Sequence, residues 1–102
     1  MKKNDENKTR YELIPTGPLA EIAEIMTRGA ERYGQDNWKE NIEAETGRVL
    51  GAIFRHLEAY RAAREREDPD GYWNTDDWGH HHLSHVMVCA LFLVWNDQQN
   101  LE

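Results

Sequence analysis

The chain has 102 residues, with 12 Lys or Arg against 19 Asp or Glu, so its formal net charge is −7. This charge argues against the basic surface that binds a long nucleic acid, because such a surface needs clustered Lys and Arg. The length predicts one domain, and a chain of this size buries only about 60–70% of its unfolded surface, so we expect a homo-oligomer. The longest apolar run, residues 86–95, is shorter than the roughly 20 residues that span a bilayer, so we expect no membrane role.

The single cysteine, Cys89, lies inside that apolar run. A lone cysteine in such surroundings predicts a buried thiol that is neither half of a disulfide nor a nucleophile. Because no apolar signal core is found near the start of the sequence, we expect a cytoplasmic protein.

The first part of the chain predicts an arm followed by a helix. Residues 1–9 are charged and predict a flexible N-terminal arm, whereas residues 10–102 predict a single all-α domain. Residues 10–15 end in a proline and predict an extended lead-in to a helix that starts near Leu19 and ends near Gly34. The apolar face of this first helix consists of Leu19, Ile22, Ala23, Met26 and Ala30.

A loop and a second helix follow. Residues 34–45 show neither helical nor strand periodicity and predict a loop anchored by Trp38. Thr46 can cap the second helix, and Pro69 ends it. The apolar stripe of this helix consists of Val49, Leu50, Ile53, Phe54, Leu57 and Tyr60.

The third predicted helix carries the apolar run. We expect Asp76 or Asp77 to cap it and Asn96 to lie near its end. Residues 86–95 have no polar face, so other helices or a second subunit must surround them. The polar connection between the second and third helices favours antiparallel packing. The sequence therefore predicts an all-α fold with three main helices, packed antiparallel in an oligomeric helical bundle.

Four of the five histidines precede the apolar run, at positions 80, 81, 82 and 85. On a helix, His82 and His85 share one face, and His56 of the second helix lies within reach if the two helices pack together. With the Asp77 carboxylate, this set predicts a divalent metal site whose ligands are His56, Asp77, His82 and His85. Imidazole with carboxylate suits Mn²⁺, Fe²⁺, Co²⁺ or Zn²⁺ better than Mg²⁺. The alternative, equally supported by the residues alone, is that the histidines satisfy buried hydrogen bonds and Asp77 only caps a helix.

Other side chains predict contacts with a small anionic ligand. Arg10 and Asn37 can bind phosphates or the edge of a base. Tyr33 or Trp38 can stack on a base, although a role as a core anchor is the stronger interpretation of each.

Three glutamates of the first helix, Glu21, Glu24 and Glu31, have the spacing of carboxylates that bind Mg²⁺. We interpret them instead as exposed glutamates, favoured near the start of the helix by its dipole.

Four motifs occur in order along the chain. They are residues 10–15 (RYELIP), residues 28–34 (RGAERYG) followed by Asn37-Trp38, residues 55–57 (RHL), and Gly79 followed by residues 82–85 (HLSH). From Arg10 to Trp95, this series resembles the phage and bacterial dATP/dGTP diphosphohydrolase N-terminal domain family, which is similar to the all-α nucleotide pyrophosphohydrolases. The resemblance implies a helical, oligomeric enzyme that cuts the α–β bond of a (deoxy)nucleoside triphosphate with a divalent metal. It also implies a location in a bacterial cytosol or in that of a phage-infected host.

The chain departs from this pattern in two places. The all-α pyrophosphohydrolases hold Mg²⁺ with Glu-x-x-Glu and Glu-x-x-Asp, whereas the late helix here offers His82-Leu83-Ser84-His85. The segment from Arg66 to Gly79 is also longer, with Tyr72-Trp73-Asn74 ahead of the histidines. The metal ligands of those enzymes therefore do not carry over residue by residue.

The first hypothesis is a metal-dependent (deoxy)nucleoside triphosphate pyrophosphohydrolase that acts on purine deoxynucleotides and gives nucleoside monophosphate and pyrophosphate. Its metal, Mg²⁺, Mn²⁺ or another transition metal, would polarise the α-phosphate and lower the pKa of the attacking water. Glu31 or Glu58 would be the base, and Arg55 with Arg10 would neutralise the polyphosphate. The second hypothesis is a phage-encoded module that sequesters a nucleotide or a nucleotide second messenger without cleaving it. A third is a helical assembly protein whose histidines are structural.

Overall fold

The computed structural model describes residues 7–73 and 78–101, and this part of the chain is mostly helical, as the sequence predicts. It contains no β-strand, only an isolated bridge between Trp73 and His81. Two 3₁₀ turns, Tyr11–Leu13 and Pro69–Tyr72, precede and connect the longer elements. The helices are α1 (Thr16–Tyr33), α2 (Asn37–Asn41), α3 (Thr46–Glu65) and α4 (His82–Gln99). None of them is long and apolar enough to cross a membrane.

Helix α1 begins three residues before the predicted start. Pro15 is extended, with φ −65° and ψ 148°, and the helix begins at the next residue. Pro18 is accommodated in the first turn because the backbone N–H groups there have no intrahelical acceptor. Gly34 ends the helix with φ 100°, a conformation open to glycine, and its N–H donates to the Ala30 carbonyl at 2.8 Å.

The connection from α1 to α3 contains a short helix, so the prediction of a loop throughout residues 34–45 is wrong for Asn37–Asn41. The turn before it is made by Asp36, which takes the left-handed conformation with φ 59°. The anchoring role of Trp38 is confirmed: its ring stacks on Phe92 with centroids 4.3 Å apart and meets Trp95 edge-on at 5.0 Å. These aromatic contacts stabilise a helical turn that the periodicity of the segment does not predict.

The predicted cap of α4 is also wrong. The helix starts at His82, and its N-cap is His81, whose Nδ1 accepts a hydrogen bond from the Leu83 N–H at 3.0 Å. The backbone stays non-helical up to this point because Gly79 has φ 71° and Trp73 pairs with His81. Asp76 and Asp77, the predicted caps, lie outside the described residues.

Helix α4 is the central element, because it contacts α1, α2 and α3. Its far end is fixed by the segment that follows α2, where the buried Asn96 donates to Glu43 Oε1 at 2.6 Å. Among the described residues, however, only three apolar side chains count as buried: Ile42, Ala63 and Val88. Several large apolar side chains remain exposed on α3 and α4, namely Leu50, Phe54, Leu57, Met87, Leu91 and Val94.

Candidate functional site

Three histidines converge between α3 and α4, as the sequence predicts. The Nδ1 atoms of His56 and His82 are 2.9 Å apart. The ring of His85 stacks on that of His56, with centroids 4.6 Å apart and planes 5° from parallel. We call these three side chains the histidine cluster. Since the His56–His82 contact is a hydrogen bond, one Nδ1 carries the proton and the other accepts it.

In the described part of the chain, the histidine cluster does not form a set of three metal ligands. Within residues 7–73 and 78–101, no three His, Cys, Asp or Glu side chains are placed to hold one metal ion. The two closest imidazole nitrogens are in contact with each other, and Asp77, the predicted carboxylate ligand, lies outside the described residues. The ligand roles of His56, His82 and His85 therefore stay predictions.

Two carboxylates of α1 hold the start of α4. Glu21 Oε1 accepts hydrogen bonds from the His81 N–H at 3.0 Å and from the Ser84 hydroxyl at 2.6 Å. Glu24 Oε1 lies 2.9 Å from Nε2 of His80, which is buried. The interpretation of Glu21 as an exposed glutamate is therefore wrong, because its carboxylate is held at the N-terminal side of α4, where the helix dipole favours negative charge. Glu24 is exposed, as predicted, with 60% of its side chain accessible, but it also contacts His80. Their i, i+3 spacing was visible in the sequence, but their partners lie about 60 residues further along.

The contacts of Glu21 change its acidity. Burial raises the pKa of this carboxyl. The hydrogen bonds from Ser84 and the His81 backbone, together with the nearby imidazoles of His80 and His81, lower the pKa by more than burial raises it. The net result is a pKa below the ordinary glutamate value, so the ionised form is favoured in the folded protein.

The ring of His81 is enclosed by aromatic side chains. Its centroid lies 5.4 Å from that of Tyr60, 6.2 Å from Tyr72 and 4.8 Å from Trp73. These contacts and the cap hydrogen bond to Leu83 hold the imidazole in place. His81 and His80 therefore help to hold the start of α4, His81 as its cap and His80 through Glu24.

A cavity of about 760 Å³ lies beside the histidine cluster. We call it the central pocket. Its walls are formed by the second half of α1, by the turn at residues 34–36, and by parts of α2, α3 and α4. Its volume is in the range of small-molecule sites, roughly 300–1,000 Å³. Residues predicted to bind substrate or metal line it together: Tyr33, Asn37, Trp38, His56 and His85.

Arg55 lies in an open groove that adjoins the central pocket. The groove shares Asn37, Trp38 and Cys89 with that pocket. Burial raises the pKa of the Cys89 thiol, and the charge of Arg55 offsets only part of this rise. The half-buried thiol is thus favoured in its neutral form, consistent with the inert cysteine that the sequence predicts.

The remaining predicted site residues do not line the central pocket. Arg10 is exposed and pairs with Glu12 at 2.7 Å. Glu31 pairs with Arg28 at 3.2 Å, and Glu58 pairs with Arg61 at 2.9 Å, each on the surface of its own helix.

Comparison with known proteins was made at the level of families, single proteins and structures. A family model described as dATP/dGTP diphosphohydrolase, N-terminal, matches residues 1–102. A protein of Salmonella phage PMBT28 named dATP/dGTP diphosphohydrolase is 27% identical over 93 residues, which are 91% of this chain and 28% of the relative. The chain thus spans little more than a quarter of the length of that relative. No solved structure matches.

Replacing Glu21 with Ala tests its hold on α4. The change leaves the His81 N–H and the Ser84 hydroxyl without their acceptor, so the free energy of unfolding should fall by about 1–3 kcal/mol at neutral pH. Glu58→Ala removes only an exposed ion pair and should leave the free energy of unfolding almost unchanged. Urea denaturation of both variants at pH 7 gives the comparison.

The same series has a defined pH dependence. Because the pKa of Glu21 is lowered in the folded state, its stabilisation is fully present above the ordinary glutamate pKa of ~4.3 and is lost as pH falls through the lower folded value. The stability gap between wild type and Glu21→Ala should therefore narrow below about pH 4. An unchanged gap at low pH would show that the charge of Glu21 contributes nothing.

Proposed function

The chain belongs to the dATP/dGTP diphosphohydrolase N-terminal family, and from this premise we propose that it is a (deoxy)nucleoside triphosphate pyrophosphohydrolase. It converts its substrate to nucleoside monophosphate and pyrophosphate, and purine deoxynucleotides are the preferred substrates. The observation that carries the proposal is the central pocket, where aromatic and amide side chains face two imidazoles of the histidine cluster.

The nucleobase is recognised at one end of the central pocket, which is lined by α2 and by the C-terminal end of α1. The ring of Tyr33 is exposed and lines the pocket, so it can stack on a purine, a contact worth about 1–3 kcal/mol per base. Asn37 presents an amide, which offers both a donor and an acceptor to a base edge. Trp38 is already stacked on Phe92, so it supports the pocket wall beside Asn37.

The histidine cluster is the group best placed to move a proton. His56 and His85 line the central pocket, and His82 forms one hydrogen bond with His56. A neutral imidazole can accept a proton from an attacking water, and such catalysis contributes about 10²–10⁴-fold. Glu31 and Glu58, the bases predicted from sequence, are engaged with arginines outside the pocket.

We also propose that the reaction requires a divalent cation, which is Mg²⁺, Mn²⁺ or another transition metal. The described side chains form no centre for it, so none of the steps above is assigned to the cation. Mg²⁺ in polyphosphate sites is held by the substrate phosphates with one or two carboxylates, which allows it to enter with the nucleotide.

We also propose that the protein works as a homo-oligomer. Leu50, Phe54 and Leu57 follow one another along one exposed side of α3, and α4 exposes Met87, Leu91 and Val94. Burying such faces against a second copy would add the apolar contact that the few buried side chains do not supply.

A panel of nucleoside and deoxynucleoside triphosphates, assayed with and without Mg²⁺ or Mn²⁺ and analysed by mass, tests the reaction. We expect dATP or dGTP to yield the monophosphate and pyrophosphate when the cation is present. Asn37→Ala should raise KM about tenfold, and His85→Ala should lower kcat at least ~100-fold with helix content retained. Gln98→Ala, at an exposed amide near the end of α4, is the control and should leave both constants unchanged. Stoichiometric binding with no product would instead favour the sequestering module.

Sedimentation equilibrium at micromolar concentration tests the assembly. The wild type should be a dimer or larger, and Phe54→Glu, which places a charge on the exposed face of α3, should shift the protein towards monomer. Leu101→Glu changes an apolar side chain that is 82% exposed and should leave the mass unchanged. A monomeric wild type would contradict the proposal.

A further inference from the structure

A second, smaller cavity opens beside the central pocket. Its volume is about 150 Å³, and it shares Ile25, Gly29, Tyr33 and His85 with the central pocket. We call it the side pocket. Its remaining lining residues are Arg28, Arg32, Trp78 and His80. A cavity of about this volume can admit a molecule the size of benzene, so an ion the size of phosphate fits.

The side pocket concentrates basic side chains in a chain whose net charge is −7. Arg28 and Arg32 lie one turn apart on α1, and His80 and His85 come from the other wall. Two carboxylates contact these basic side chains. Glu31 Oε1 accepts a hydrogen bond from Arg28 Nη1 at 3.2 Å, and Glu24 Oε1 lies within hydrogen-bond distance of His80 Nε2.

The guanidinium of Arg28 is held in a fixed position but is not fully satisfied. Its Cζ lies 4.2 Å from the centroid of the Trp78 ring, so the planar group rests on the indole. The Nε atom of Arg28 is buried and has no hydrogen-bond partner among residues 7–73 and 78–101. A buried donor without an acceptor costs free energy, and a bound anion or water is the usual explanation.

The groove of Arg55 is the competing location for substrate charge. That groove is wider, about 570 Å³, and Arg48, its other arginine, has a side chain that is 85% exposed. Exposed cations bind anions weakly because solvent and salt screen them. The side pocket instead combines a small volume, a stacked arginine and a direct connection to His85.

We propose that the side pocket is an anion subsite that binds the β- and γ-phosphates of the nucleotide, with Arg28 as the principal residue that contacts them. This proposal rests on the proposed function for the identity of the whole substrate. His85 lies on the wall shared by the two pockets, so a nucleotide whose base is in the central pocket would pass its α-phosphate beside the histidine cluster. Arg28 is then a substrate-binding residue, stabilising the charge of the pyrophosphate group as it leaves.

Binding of inorganic pyrophosphate to the full chain, followed by calorimetry, tests the subsite without requiring hydrolysis. Arg28→Gln should weaken binding by about 10- to 100-fold, the range of a lost charge-assisted hydrogen bond. Arg32→Gln, on the rim of the same pocket, should weaken it about three- to tenfold and provides a second variant if Arg28→Gln unfolds. Arg61→Gln makes the same chemical change at an exposed ion pair with Glu58 and should alter binding less than about twofold.

Three results would overturn the subsite: no pyrophosphate binding by the wild type at millimolar concentration, equal binding by wild type and both pocket variants, or a larger loss in Arg55→Gln. The nucleotide assay separates this outcome from the fate of the proposed function. If no nucleotide is cleaved but Arg28→Gln still weakens pyrophosphate binding, the subsite stands and the hydrolase proposal fails. If nucleotides are cleaved and Arg28→Gln changes neither KM nor pyrophosphate binding, the hydrolase stands and the subsite fails.

Discussion

The contact between the α1 carboxylates and the first turn of α4 determines the geometry of the candidate site. Glu21 accepts hydrogen bonds from the His81 N–H and the Ser84 hydroxyl, and Glu24 contacts the buried His80. His82 is the first residue of α4. Since each residue turns a helix by about 100°, a shift of the helix start by one residue would rotate His82 and His85 away from His56. The carboxylates of α1 therefore position the imidazoles of another element, without belonging to the central pocket themselves.

The same arrangement explains why the pockets lie where they do. Helix α4 is packed against α1 at its beginning and against Trp38 of α2 at Phe92 and Trp95. The space left between these contacts is the central pocket, with aromatic and amide groups on one side and imidazoles on the other. The side pocket, lined by Arg28, shares His85 with it. Under the proposed function, His85 therefore lies between a nucleobase in the central pocket and the terminal phosphates in the side pocket.

Sequence patterns predicted the parts of this structure that depend on local periodicity. The helical character, the common face of His82 and His85, their approach to His56, and the anchoring of Trp38 all follow from spacing and from apolar runs. The parts that depend on distant partners were not predictable. Asp76 or Asp77 was the expected cap, but His81, which pairs with Trp73 in an isolated bridge, caps the helix instead.

The same limit applies to the charged residues. Nothing in the local pattern of α1 shows that Glu21 meets Ser84, 63 positions later, or that Arg28 rests on Trp78. Glu31 and Glu58 have the chemistry of a base, but each contacts an arginine three residues away on its own helix. Residue type and spacing therefore indicated the class of chemistry, whereas the side chains that surround the pockets were set by tertiary packing.

Nucleotide binding in the central pocket, next to the histidine cluster, can be tested by a histidine-ring ¹H–¹⁵N NMR titration with a non-hydrolysable dATP analogue. The ring signals of His56 and His85, which line the central pocket, should shift in a saturable way. The signal of His81, enclosed by Tyr60, Tyr72 and Trp73, should stay in place. Saturable shifts confined to His81, or binding that leaves His56 and His85 unchanged, would show that the nucleotide does not bind in the central pocket.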